Sequence, residues 1–139
     1  MARTDNFRKQ HVEILTIARE INQQLGAVIA EEDATRIRRQ LSKMHGLVGL
    51  HLAMEDKSLY PSMLLSKDQE ARDLAQRYSQ EMGDLAHGFE AYMKAWSNIS
   101  LISASPEVFT EQTKAIFNAL SKRIHRENTL LYPVADALP

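Results

Sequence analysis

Apolar residues recur at alternating spacings of four and three through four long stretches of this chain, and that spacing admits few folds other than packed helices. The first stretch carries Phe7, His11, Ile14, Ala18, Ile21 and Leu25; the second carries Ile37, Leu41, Met44, Val48, His51, Glu55 and Leu59. The third carries Ala71, Leu74, Tyr78, Met82, Leu85, Phe89, Met93 and Trp96; the fourth carries Phe109, Thr113, Ile116, Leu120, Ile124, Glu127 and Leu131. A 4-3 alternation keeps one stripe of a helix facing a partner. Period-two alternation is nearly absent, and glycine and proline are sparse (5 and 4 residues), so little interrupts the helices. The spacing predicts helices over about Asp5–Leu25, Asp33–Leu59 and Lys67–Trp96, and from Ser105-Pro106 through Leu131. Asp5 is the expected cap of the first helix and Gly26 the expected left-handed residue past its end. Ser105-Pro106 is the expected start of the fourth. Each Leu-Tyr-Pro, at 59–61 and 131–133, is the expected helix stop. Short connections then make an all-α, up-down-up-down antiparallel four-helix bundle, a single domain spanning 1–139.

Composition narrows what such a bundle does. A formal net charge of −1 gives no reason to expect a nucleic-acid or anionic-membrane partner. The absence of cysteine removes disulfides, thiolate metal sites and thiol nucleophiles. The start MARTDNFRKQ has no apolar run after its basic residues, and no stretch approaches the roughly 18 to 20 apolar residues of a membrane span, so a soluble cytoplasmic protein is expected. A phosphate-cradling glycine loop, a nucleophile elbow and an H-E-x-x-H are all missing, which leaves redox at a metal as the one enzymatic chemistry the residues suggest.

The seams themselves contain ionisable residues. His11, His51, Glu55 and Glu127 all lie on the inward stripes, with Arg123 one turn before Glu127. Buried carboxylates need partners, since leaving one unpaired costs several kcal/mol. Antiparallel packing puts the start of the first helix beside the ends of the second and fourth, so the four residues belong at one end of the bundle. His51 and Glu55 are one turn apart and point to one centre. Inward Glu and His residues in a bundle core hold iron or manganese, and imidazole with carboxylate also suits zinc. The competing arrangement is a metal-free salt-bridge network, in which Arg123 lies between Glu55 and Glu127 and supplies the positive charge.

The stretch HLAMEDKSLYP, His51 to Pro61, is echoed by RIHRENTLLYP, Arg123 to Pro133. With FRKQH around His11, these motifs make the whole chain resemble the hemerythrin-like, or HHE cation-binding, family. The resemblance implies an all-α bundle whose site usually holds two irons bridged by carboxylates, in proteins that bind or sense oxygen, other small oxidants or iron itself. The chain departs from the family pattern at two places. Where the family supplies histidines from the third helix, this chain has Tyr78 and Met82, with Glu81 on the flank; His87 projects about 180° away. Where the family has a histidine one turn before the last Glu, this chain has Arg123, and His125 is out of phase. The expected metal ligands are therefore His11, His51, Glu55 and Glu127, with Glu81 as a further candidate. They suit one metal or a carboxylate-rich pair, with iron preferred and zinc or manganese as alternatives, and they favour metal binding or sensing over reversible oxygen transport.

Three other features carry expectations. Tyr60 and Tyr132 close the bundle end or hydrogen-bond a ligand carboxylate, and Tyr78, on the third seam, is the better placed phenol for that task. Gly46, Leu50 and Ala53 form an outer apolar strip on the second helix, from which a homodimer through that helix is expected. MHGLVG, around His45, loosely resembles the His-x-Leu-Lys-Gly pattern of histidine phosphotransfer bundles, with Val48 where the lysine would stand.

Overall fold

The computed structural model describes residues 2–139, which are 84% helical, with no strand among the described residues. Four rods build the bundle. The first is α1, Asp5–Asn22. The second joins α2, Glu31–Met54, through a five-residue π-helical turn, Glu55–Leu59, to α3, Tyr60–Leu64. The third is α4, Gln69–Ala95. The short α5, Ile99–Ala104, lies in the connection that follows and rests on α2. The fourth rod repeats the plan of the second: α6, Pro106–Arg126, a π turn, Glu127–Leu131, and α7, Tyr132–Asp136. Consecutive rods pack as neighbours and α6 returns to α1, the arrangement that the 4-3 spacing and short connections imply. No helix among the described residues is long and apolar enough to cross a membrane.

Several local expectations are corrected. The first helix ends at Asn22 rather than Leu25, and no glycine adopts positive φ, so Gly26 is not a left-handed cap. Instead the Gly26 backbone exchanges hydrogen bonds with the Thr110 hydroxyl at 3.2 Å. Thr4, not Asp5, stands at the N-cap of α1; its N–H and hydroxyl both donate to the Asp136 carboxylate, at 3.0 and 2.8 Å. That contact ties the start of the first rod to the end of the last. Ser105 precedes α6 without a side-chain cap bond, whereas Asp68 and Asn98 do cap α4 and α5.

The Leu-Tyr-Pro motifs do not stop their helices. In each, the tyrosine N–H bonds the carbonyl five residues back, Tyr60 to Glu55 and Tyr132 to Glu127. The π turn resets the register, so the proline falls in the first turn of the continuing helix. There its missing N–H leaves no hydrogen bond broken.

The core has two apolar parts. The larger runs along most of the bundle and includes Ile14, Ile21, Ile37, Leu41, Met44, Val48, Phe89, Phe109 and Ile124. The smaller closes one end with Phe7, Leu59, Tyr60, Met63, Tyr78, Leu131 and Tyr132. Along α1, His11 falls between Phe7 and Ile14; along the second rod, His51 and Glu55 fall between Val48 and Leu59; along the fourth, Glu127 falls between Ile124 and Leu131. A buried polar layer therefore separates the two apolar parts.

Candidate metal centre

Each residue of this layer is inward because its helix seam makes it so, and each is buried: His11 is 1%, His51 4%, Glu55 0%, Glu127 1% and Arg123 5% exposed. His11 Nε2 lies 3.2 Å from His51 Nε2 and 2.8 Å from Glu127 Oε1. Glu127 Oε1 is in turn 3.5 Å from His51 Nε2. Ligand atoms of His11, His51 and Glu127 all lie within 4.8 Å of one another.

The far nitrogens of both imidazoles are held by amide oxygens. Nδ1 of His11 is 2.8 Å from Asn128 Oδ1, and Nδ1 of His51 is 2.7 Å from Gln10 Oε1. These acceptors assign an N–H to each Nδ1, so in the neutral form of both rings each Nε2 presents its lone pair to the other. Two lone pairs facing at 3.2 Å repel unless a proton or a cation lies between them. Neighbouring rings fix the pair further: Phe7 meets His51 edge-on at 5.7 Å, and Tyr132 stacks on His11 at 5.3 Å.

The carboxylates differ in their surroundings. Glu127 is shared: Oε1 faces the imidazoles, while Oε2 accepts from Arg123 Nε at 3.2 Å. Burial works against its charge, but hydrogen bonds from His11 and His51 and the Arg123 charge prevail and hold its pKa well below the usual range. Glu55 accepts from the Tyr132 hydroxyl at Oε2, 2.8 Å away. Its Oε1 has no hydrogen-bond partner; His51 Nε2 is 3.4 Å off, close enough for charge attraction but not aligned as a hydrogen bond. Burial, with help from the Glu127 charge, pushes the Glu55 pKa up. Burial lowers the pKa of His51, yet the adjacent Glu127 and Glu55 carboxylates outweigh it and raise it to about 9.

Tyr132 is more central than the seam spacing implies. Besides Glu55, its hydroxyl lies 3.2 Å from Glu127 Oε1, 3.2 Å from His11 Nε2 and 3.4 Å from His51 Nε2. A helix at 100° per residue would turn Tyr132 away from Glu127. The π turn brings position i+5 back over position i. The Tyr132 phenol is pushed up by burial first and then by the two carboxylates, so it stays a donor.

Arg123 occupies the other side of Glu127. Nη2 donates to the Tyr60 hydroxyl at 3.2 Å and to the Tyr78 carbonyl at 2.7 Å; Nη1 reaches Glu81 Oε2 at 3.5 Å. The guanidinium also lies over the Tyr78 ring, 4.5 Å from its centroid. Glu81 does not join the imidazoles. Its side chain is 40% exposed and pairs with Arg123 and, at 3.0 Å, with Arg126. Tyr78 is the expectation that needs correcting most: its buried hydroxyl bonds no ligand carboxylate and has no partner, and it is the ring that does the work, beneath Arg123. Among the four tyrosines it is Tyr132 that donates to a carboxylate of the cluster.

His87 and His125 are exposed, away from the cluster. His45 is half-buried, with its Nε2 paired to Glu90 on α4. Sequence reasoning missed Gln10 and Asn128. Each adjoins a candidate ligand in the chain, Gln10 before His11 and Asn128 after Glu127, but each serves a histidine on a different rod. Adjacency flags them; only packing says whom they contact.

The residues fit a metal ion. Two oriented imidazole nitrogens, one carboxylate oxygen within reach of both and a second carboxylate with an unpartnered buried oxygen form a nitrogen–oxygen donor set suited to iron, manganese or zinc. The family model described as hemerythrin HHE cation binding domain matches residues 2–135. No curated protein and no solved structure matches the chain.

Proposed function

Because the chain belongs to the hemerythrin HHE cation-binding domain family, we propose that it binds a non-haem metal ion, iron in its working form, at the buried layer of His11, His51, Glu127 and Glu55. The observation that carries the reading is the pair of imidazoles whose Nδ1 atoms are tied to Gln10 and Asn128 and whose Nε2 atoms face each other. Amide or carboxylate groups that orient the far nitrogen are the usual support of a metal-bound histidine. Glu127 contributes Oε1, and Glu55 contributes the oxygen that has no other partner. Bound iron would supply a redox-active, Lewis-acidic centre able to meet oxygen or another small oxidant. Around it the chain excludes water with Phe7, Leu59 and Leu131, and holds one proton on the Tyr132 hydroxyl beside both carboxylates. The role that fits is sensing of oxygen, oxidants or iron. We also propose that two copies associate through the outer face of α2, where Leu50 is 54% exposed beside Gly46 and Ala53.

A second reading has its own support. A proton on His51, whose pKa is raised to about 9, can close the network with no metal, and Arg123 already neutralises one carboxylate. Metal analysis separates the two. Protein made in iron-supplemented medium should carry stoichiometric iron that His51→Ala loses while retaining its helical circular dichroism. Absence of iron, zinc and manganese from the wild-type protein would favour the metal-free network.

A further inference from the structure

The second and fourth rods are built alike down to their π turns, and that likeness makes the difference between His51 and Arg123 informative. In both, an ionisable residue stands four places before a glutamate, and the tyrosine five places after it sits in the buried end. The tyrosines cross over. Tyr132 of the fourth rod reaches Glu55 of the second, and Tyr60 of the second reaches Arg123 of the fourth. Arg123 thus stands on its rod where His51 stands on the other, and its guanidinium spreads over the ground that an ion beside Glu127 Oε2 would cover.

Every nitrogen of that guanidinium is engaged. Nε holds Glu127 Oε2, Nη1 holds Glu81, Nη2 holds the Tyr60 hydroxyl and the Tyr78 carbonyl, and the Tyr78 ring covers one face. A guanidinium has five N–H donors and no lone pair, so it cannot become a ligand. Glu127, which has two oxygens to span two cations, spans the imidazole pair and Arg123. Charge agrees with geometry. Among the buried groups, Glu55 and Glu127 against Arg123 leave one net negative charge, which a single divalent ion more than balances; a second ion would lie against the Arg123 guanidinium with no further buried carboxylate to offset it.

We infer that Arg123 is a built-in replacement for a second metal ion, so that the site takes one divalent cation, on the His11–His51–Glu127 side, and cannot take two. The inference rests on the metal binding proposed above and goes beyond it in number and position. Replacing Arg123 by histidine would put an imidazole one turn before Glu127, as His51 stands to Glu55, and would free Glu127 Oε2 and the Tyr60 hydroxyl, while Glu81 keeps Arg126.

The test is a count of metal. Chelator-stripped protein is titrated with cobalt(II), and bound cobalt per chain is measured after gel filtration for wild type and Arg123→His, with circular dichroism confirming the fold. One equivalent in wild type and two in Arg123→His are expected. The paramagnetic resonance signal should grow to one equivalent as an isolated ion in wild type, and show coupling between ions in the variant. Two equivalents in wild type would overturn the inference and leave metal binding standing; none would remove metal binding, and the inference with it. A folded Arg123→His that still takes one would show that Arg123 is not what limits the site. Should that variant not fold, the wild-type count and resonance signal decide, one isolated ion supporting the inference and a coupled pair overturning it.

Discussion

With no metal bound, a proton on His51 Nε2, beside Glu127 and Glu55, relieves its 3.2 Å contact with His11 Nε2, and this gives the metal-free protein a definite pH dependence. The pKa of His51 is raised in the folded state from 6.5 to about 9. A raised folded pKa means the folded state binds the proton more tightly, so the stabilisation is complete below the unfolded value and disappears as pH rises through the folded one. Glu55, also raised, acts in the same sense. In chelator, urea unfolding should therefore show stability falling by on the order of 3 kcal/mol between pH 6.5 and 9. A flat profile over that window would contradict a proton held on His51 in the folded protein. The amides give a second expectation. Gln10→Ala and Asn128→Ala each release one Nδ1, and metal affinity should weaken by about 10- to 100-fold in each, read by competition with a chelator. His11, His51, Glu55 and Glu127 were legible from spacing because 3.6-residue periodicity assigns a face. Gln10 and Asn128 were not, because periodicity says nothing of a contact made between rods.

The π turn is the element that shapes the site. A seam drawn at 100° per residue runs through Glu55 to Leu59 and through Glu127 to Leu131, and leaves both tyrosines off it. The turn adds them to the inside, Tyr60 and Tyr132 both buried. It also explains why proline follows without ending the rod. π turns inside helices are frequently found at functional positions, and here both lie at the polar layer. The two phenols should not be equal. Removing the Tyr132 hydroxyl leaves Glu55 with neither oxygen hydrogen-bonded, whereas Arg123 keeps Glu127, Glu81 and the Tyr78 carbonyl without Tyr60. Tyr132→Phe should cost about 1–3 kcal/mol, the penalty of an orphaned buried acceptor. Tyr60→Phe should cost clearly less, both measured by chemical denaturation of the metal-free protein. Equal costs would mean that Tyr132 does not serve Glu55.

At the scale of the whole molecule, the bundle keeps its largest apolar core away from the polar layer and seals the layer with a smaller one. The seal is tied at its rim by Thr4 and Asp136, which join the two ends of the chain. On the outside, α2 presents Leu50 beside two glycines and Ala53 to solvent. If two copies meet there, Leu50→Glu should halve the mass seen by light scattering; a monomeric wild type would end that proposal.

The amino-acid pattern alone determined the four rods, their antiparallel order, the inward face of His11, His51, Glu55 and Glu127 and the end of the bundle where they gather, because helical periodicity and short connections leave little choice. It left open whether Arg123 joined the cluster or displaced part of it, whether Tyr132 faced the ligands, and which side chains steadied the imidazoles. Those depended on a five-residue turn that shifts the phase of two helices and on contacts between rods distant in the chain. Only the assembled bundle sets such distances, because each is made by two surfaces that no single helix contains.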